Sequence, residues 1–573
     1  MESVISIAAL KQVIGQENSV INVLGYSVAG DGGGGLFYYD SISTLLDNGG
    51  TIIKPTNTTN GRWKRNFNES IDVRWFPGVN LGLKLQAAYN SLPTTGGIID
   101  CSNLVGTHYI TQQIIIDKNN VTIIMSNTIV ELSGVDAVPG VGSVLLVYGN
   151  FFELKGTSSS ILKMANGCKA SALGIYGTNA NVHNMTFNGN KNYITADNRD
   201  TWGTAITCIR SSPERLGQAN HTFENLYVYD FIHYGIHFYG DNCGGNTVNN
   251  CIISSNGNSG MESKGSGFAI NRDVHSTKIT NCIISYNKNS GIFMCTADGV
   301  SECLNNQISN NHIFNNGKNG VWVIEQPDLY SQPGKGTRRL LISNNHIYSN
   351  IESGIRIGTY SITIGVPPYT VTTSVGIIEN ISIVSNHIFL NTLWGVILQG
   401  NNSTDSYTKN VTIASNFIVN NPGKGIFIDV NVQNTFITSN KLNTNLVDID
   451  DTGTNTVIAG NILNNNNYFT TKKISSEEIL LDNGKIIFNE VGVRSFTAKA
   501  ESGVVKITSG DGNGVLDLAN INGVKLPIKT TANLLPGAVA NSGFVYIESG
   551  ANSAINLIIH ANDKRYRITS TLI

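Results

Sequence analysis

The sequence predicts an all-β fold, a right-handed single-stranded parallel β-helix, on three observations. Charged residues make up only 14% of 573 residues while glycine alone supplies 60, a composition rich in turns and poor in helix formers. A repeat of the form Asn-x-Ile/Leu-x-x-Asn, a short polar turn, then Gly-Ile/Val-x-Ile/Val returns from about residue 184 onward. It begins at Asn250, Asn281, Asn311, Asn345, Asn386, Asn416, Asn440 and Asn461, at intervals between 21 and 41 residues. The shortest interval fits one bare coil of three short strands, and the longer ones fit that coil plus loop insertions. Finally, no long stretch after residue 100 keeps a 3.6 period between Gly and Asn breaks, which excludes a helical bundle. A propeller would need a four-strand unit of more constant length.

Each piece of the repeat has a mechanical reading. The Asn before the Ile can take the left-handed conformation at a tight bend and bond to the Asn one coil away. Beyond the Gly, apolar residues alternate, so one side of that strand faces inward. The inward pairs are Ile236/Phe238, Met261/Ser263, Ile292/Met294, Val321/Val323, Ile355/Ile357, Val396/Leu398 and Ile426/Ile428, with Ser263 the one polar break.

Upstream, Leu81, Leu85, Ala88 and Leu92 stand at helical spacing and end at Pro93, which predicts an amphipathic helix that plugs the open end of the solenoid. Downstream of about residue 466, GVVKIT, GFVYIES, INLIIHA and RYRIT alternate without the Asn ladder. The expected domains are 1–75, a β-rich cap or attachment module; 76–465, the β-helix with the groove; and 466–573, a β-rich trimerisation or carbohydrate-binding domain. The run Gly32 to Gly35 lacks the Lys-Ser/Thr of a phosphate loop and reads as a tight turn.

Composition also bounds the partners. A formal net charge of -2 leaves no basic surface for nucleic acid. No apolar run spans a membrane and the N-terminus lacks a signal peptide, so synthesis in a cytoplasm is expected. Eight scattered Cys form no CxxC pair and read as buried thiols, with neither a zinc site nor a disulfide framework. His312, His346 and His387 share one repeat position, together with Cys251, Cys282 and Phe417, and read as a packing column; no metal and no cofactor is expected.

Several strings carry a resemblance: VLGYSVAGDGGGGLFYYD (Val23 to Asp40), DNGGTIIKP (Asp47 to Pro55), GRWKR (Gly61 to Arg65), VRWFPG (Val73 to Gly78) and the repeats themselves. With them the chain resembles the pectate-lyase-like phage tailspikes, capsular polysaccharide depolymerases in particular, over most of residues 1–465. The resemblance implies a homotrimer attached through a phage tail or baseplate protein to a virion, acting on capsular polysaccharide at the bacterial surface.

The chemistry is expected on the outward positions of the Gly strands. Gly+2 reads His237, Glu262, Phe293, Trp322, Arg356, Ile397, Phe427, and Gly+4 reads Tyr239, Lys264, Cys295, Ile324, Gly358, Gln399, Asp429. Between residues 237 and 356 these columns gather the rings, acids and cations of a sugar groove. His237, Tyr239, Lys264, Phe293, Trp322 and Arg356 are the expected substrate contacts. The segments EQPDLYSQPGKGTRR and TYSITIGVPPYTVTTSVG are expected to wall the groove. Glu262 and Glu325, two coils and roughly 10 Å of axial rise apart, suit an inverting hydrolase pair, with Asp273 and Asp298 as the next candidates. Elimination on a uronate by His237, Lys264, Tyr239 and Arg356 is the chemical alternative, and a non-cleaving adhesin the third reading.

Overall fold

The computed structural model describes residues 2–463 apart from 134–141, 195–202, 211–218, 241, 259–263, 297–301, 326–335, 360–375 and 401–405; beyond 463 it describes the backbone of strands between 469 and 571.

The N-terminal module is a small sheet of the strands Glu2–Val4, Val20–Val23, Gly35–Asp40, Arg62–Arg65 and Ile52–Ile53, in that spatial order. Its own core gathers Ile7, Leu10, Ile21, Val23, Phe37, Tyr39, Ile53 and Trp63. The glycine run is a close-packed turn: a Cβ on Gly33 would lie 2.4 Å from the Tyr26 side chain, and one on Gly34 2.4 Å from the Val23 carbonyl oxygen. The Arg65 guanidinium sits between the Phe37 and Trp75 rings, 4.5 and 4.4 Å from their centres, and donates to the carbonyls of Gly33 and Gly50. This tethers the module to the chain that enters the solenoid.

The expected plug is the helix Leu81–Ser91. Asn80 caps it by accepting the Leu83 N–H at 2.9 Å, and Leu81, Leu85, Ala88 and Tyr89 join the solenoid core. The helix packs on Gly106–Ile110 and Ile114–Ile116, strands of the first coil.

Three parallel sheets then wind together. One begins at Ser70–Asp72 and Gly97–Asp100, the second at Gly106–Ile110 and the third at Ile114–Ile116, each strand pairing with its counterpart one coil on. The second sheet holds twelve strands, so the solenoid rises roughly 50 Å at about 4.8 Å per coil. Ile236, Phe238, Ile292, Met294, Val321, Val323, Ile355, Ile357, Val396, Leu398, Ile426 and Ile428 all lie in the core, as the alternation requires. The eight thiols are buried among described residues.

The Asn ladder is present, and its two roles fall on neighbouring residues. Asn310 and Asn344 carry the positive φ of the bend, and Ser385, Ser415 and Ser439 carry it in later coils. The next residue, Asn311, Asn345, Asn386, Asn416, Asn440 or Asn461, turns inward, and the Nδ2 of each of the first five reaches the Oδ1 one coil on at 2.9–3.0 Å. Asn250 and Asn281 are left-handed residues, so the inward position in those coils belongs to Cys251 and Cys282. The His column therefore continues into Ile252 and Ile283, not into the two Cys. A second internal ladder, Asn256, Asn287, Asn316, Asn350, Asn391, Asn421 and Asn445, runs along the next corner.

Past the solenoid, Phe469–Thr471 extends the third sheet in parallel, then Lys485–Glu490, Val493–Glu501 and Val504–Ser509 pair antiparallel. Val545–Ser549, Ala554–Ala561 and Lys564–Thr571 form a separate antiparallel sheet, so each alternating segment of the tail is a strand.

Candidate functional site

The outer face of the third sheet carries the predicted columns, with one strand assigned differently. Hydrogen-bond register pairs Ile236–Tyr239 with Phe268–Asn271, and that strand with Ile292–Cys295. The coil therefore starts its strand after Gly267, not Gly260. Ala269 and Asn271 take the places expected for Glu262 and Lys264. Met261, Glu262 and Ser263 lie outside the described residues, as do Asp298 and most of both expected wall segments. Three glycines, Gly260, Gly265 and Gly267, compete for the role in the sequence, and only pairing with both neighbours decides it.

Burial separates the remaining candidates. Tyr239, Trp322 and Arg356 are half-buried, whereas His237 is 4% exposed, Phe293 4% and Ile397 1%. Outward-pointing apolar residues pack on one another: Phe293, Cys295 and Ile324 against Trp322, and Leu146, Tyr176 and Ile209 against Tyr148 and Tyr239. Such rings on the outside of the β-helix form a second, smaller apolar layer where strand parity alone predicts open surface.

Glu325 ends the strand Val321–Glu325, and the period-2 alternation puts it on the same side as Val321 and Val323. It is 3% exposed at the corner toward the first sheet, where a Cβ on Gly376 would lie 2.7 Å from its own Cβ. This corrects its expected place in the groove beside the outward rings. Asp273 lies on the turn after Phe268–Asn271 and accepts the Asn242 N–H at 3.0 Å, a link between adjacent turns.

Around Trp322 the structure joins the expected Phe293 and Arg356 to two groups outside the predicted set, Lys318 and Glu352. The Phe293 ring lies 5.2 Å away, and the Arg356 guanidinium and Lys318 ammonium each lie 5.6 Å from the Trp322 ring centre. Arg356 Nε donates to Gln399 Oε1 at 2.9 Å, and its Nη1 lies 3.7 Å from Glu352 Oε2. The Glu352 carboxylate also accepts Asn319 Nδ2 at 3.0 Å. Lys318 and Glu352 stand two residues before their strand glycines, Gly320 and Gly354. Reading only the residues after each Gly hid a third column, which the turn delivers to the same face.

A second cluster surrounds His237, with Tyr234 at 5.1 Å and Tyr239 at 5.5 Å between ring centres, and Arg272 stacked 4.6 Å over Tyr239. Burial, and after it the positive charge of Lys264, pushes the His237 imidazole down to about 3 from the ordinary 6.5. The imidazole thus stays neutral in the fold while the unfolded chain protonates it. Stability present above pH 6.5 is expected to fall as pH drops toward 3, by about 1.4 kcal/mol per pH unit for this group. Urea midpoints measured across this window check it: His237→Gln should flatten the slope, and an unchanged slope would contradict it.

Comparison with known proteins adds two domain matches. Residues 3–68 match the phage tail protein small four-stranded β-sheet domain, and residues 171–332 match the right-handed β-helix region. No curated protein matches the chain. Among solved structures it is similar to the enzymatically active domain of tailspike protein 2 of bacteriophage CBA120, at 12% identity and a TM-score of 0.46, over 98% of this chain and 85% of that one. A tailspike of Acinetobacter baumannii bacteriophage Fri1, a capsular polysaccharide depolymerase, aligns at 11% identity and a TM-score of 0.40, over 100% and 92%. The A-module of an Azotobacter vinelandii mannuronan C-5 epimerase aligns at 15% and 0.40, over 68% and 98%. A phage-tail β-sheet domain over residues 3–68 and a right-handed β-helix over residues 171–332 agree with the resemblance to phage tailspikes.

Proposed function

We propose that the chain is a phage tailspike that binds and depolymerises a bacterial capsular polysaccharide, its groove lying over the outer face of the third sheet. The observation that carries this reading is the Trp322 cluster: a half-buried indole flanked by Arg356, Lys318 and the Glu352 carboxylate, on a β-helix headed by a phage-tail domain. An indole face suits the apolar face of a pyranose, and the charged groups suit its hydroxyl or acid substituents. Residues 1–75 attach the spike to the tail, 76–465 carry the groove, and 466–573 hold chains together or bind carbohydrate. The site of action is the bacterial surface.

The reaction we assign is hydrolysis of a glycosidic bond. Glu352 takes the role of base or nucleophile in place of Glu325, whose burial on the core side sets it apart from the groove. Its acid partner is sought among Glu262, Asp298 and Asp273. Elimination from a uronate remains the second reading because His237 is held neutral beside Tyr239, with Lys264 and Arg272 as cations. Digestion of a panel of purified capsules distinguishes them. New reducing ends without new ultraviolet absorbance are expected; absorbance from an unsaturated product supports elimination, and binding without either product leaves an adhesin.

A homotrimer is also proposed. Ile397, in the outward Gly+2 column, is already covered within the chain and offers nothing to a partner. The second sheet instead presents stacked rings along its outside: Phe314, Tyr348 and Phe389 follow one another at 4.8 Å, nearly parallel. Each ring occupies its neighbour's faces, so the ridge offers edges to a protein surface, not platforms to a sugar. Tyr286, Ile351 and Leu390 beside it are more than half exposed. Light scattering should give three times the chain mass; a value at one chain mass rejects the trimer.

A further inference from the structure

We infer that the groove takes an anionic glycan and engages its acidic groups once every three coils. This deepens the depolymerase reading and rests on it.

Three aromatic side chains on the outer face of the third sheet each hold a cation. Arg272 lies 4.6 Å over Tyr239, Lys318 and Arg356 lie 5.6 Å from Trp322, and Lys424 lies 4.0 Å over Phe427. Strand order fixes their spacing. From Ile236–Gly240 to Val321–Glu325 there are three coil steps, and from there to Lys424–Ile428 three more. At about 4.8 Å per step, the ring-held cations recur about every 14 Å along the axis. Tyr239 sits two residues further along its strand than the other two rings relative to the strand glycine, about 7 Å sideways, so the ligand track crosses the sheet obliquely.

The third position makes the groove longer than the region between residues 237 and 356. There Trp394 stacks 6.2 Å from Phe427, Lys424 pairs with Asp450, and all four side chains are half-buried. This repeats the composition of the Trp322 position, where Phe293, Arg356 and Glu352 play the matching parts. A ring under a cation limits the directions the charge can take and keeps it at the surface, where it can meet an anion. The Arg356 fork also suits a carboxylate or phosphate geometrically. A polymer with one acidic group per repeat unit presents its charges at a regular axial spacing, and a row of cations with a fixed period selects for that regularity over a neutral chain.

The test measures binding of the full chain to three purified polysaccharides, one carboxylated, one phosphate-bearing and one neutral, and to the carboxyl-reduced form of the first. Variants are Arg356→Gln, Lys424→Gln, Lys424→Arg and Lys441→Gln. Lys441 is the control, because it lies 5.4 Å over Phe417 on the second sheet. An acidic polysaccharide should bind with an affinity that falls as salt rises. Arg356→Gln and Lys424→Gln should each weaken binding about fivefold, with Lys424→Arg restoring it and Lys441→Gln matching the wild type. Loss on carboxyl reduction assigns the charge to a carboxylate, and preference for the phosphate-bearing polymer assigns it to a phosphate. Equal binding of native and reduced forms together with preference for the neutral polymer overturns the inference and leaves the depolymerase reading standing. Equal loss in Lys441→Gln and Lys424→Gln overturns the placement. Neither binding nor cleavage of any capsule in the wider panel overturns the depolymerase reading itself.

Discussion

Asn386→Ala should destabilise the later coils of the solenoid by about 3–6 kcal/mol, because each buried polar group that loses its partner costs about 1–3 kcal/mol and more than one does so here. The Asn386 side chain is 2% exposed, and every polar atom on it is engaged. Its Oδ1 accepts the Asn345 N–H at 3.0 Å and Asn345 Nδ2 at 2.9 Å. Its Nδ2 donates to the Ile342 carbonyl at 2.9 Å, to Asn416 Oδ1 at 3.0 Å and to the Val384 carbonyl at 3.1 Å. Alanine removes all of these at once and takes the acceptor from both the N–H and the Nδ2 of the buried Asn345. The comparison variant is Asn410→Gly, which removes two contacts nearer the surface, Asn410 Nδ2 to Asn380 Oδ1 and Asn434 Nδ2 to Asn410 Oδ1, both at 3.2 Å, and keeps a residue that tolerates the positive φ of 55°. Its expected cost is under about 1 kcal/mol. Stability in a solenoid is local to a coil and its neighbours, so hydrogen exchange of the Asn345 and Asn386 backbone amides reports it better than one global midpoint. Equal costs for the two variants would contradict the ladder as a source of stability.

The ladder also shows what the sequence could and could not say. The period of Asn and the alternation after Gly are direct consequences of strand geometry, so the coils, six of the seven inward pairs and the capping helix are legible in the sequence. Which of two adjacent residues bends the chain and which turns inward could not, because Asn serves both roles and Ser or Cys can replace it in one of them. The same ambiguity governed the site. Gly260 and Gly267 both fit the repeat, and a slip between them exchanges Glu262 and Lys264 for Ala269 and Asn271. Trp322, Arg356 and Tyr239 were legible because strand parity alone places them outward. Glu352 and Lys318 share the position two residues before the strand glycine, but that position lies in a turn, where strand parity does not say which way a side chain points. Burial of His237 and Phe293 was equally hidden, because it depends on what lies over the sheet and not on the strand itself.

Glu352→Gln should lower kcat on the cleaved capsule by about 10²–10⁴ while changing binding only a few-fold, the effect of removing a positioned base or nucleophile and keeping its shape. The glutamine side-chain oxygen can still accept Asn319 Nδ2, and the Trp322 and Arg356 surfaces remain, so substrate is still held. What disappears is the charge that must take a proton or stabilise the cationic sugar. Glu325→Gln makes the contrast: its carboxyl lies on the core side beside Gly376, so its replacement should alter stability and leave turnover near wild type. Glu262→Gln, Asp298→Asn and Asp273→Asn complete the series, and the second carboxyl is the one among them whose loss also lowers kcat with binding retained. A pair of carboxyls acting as a unit gives a double variant little worse than the more damaging single one. If Glu352→Gln turns over at the wild-type rate, the carboxylate beside Trp322 is a sugar contact and the reacting acids are both to be found elsewhere on this face.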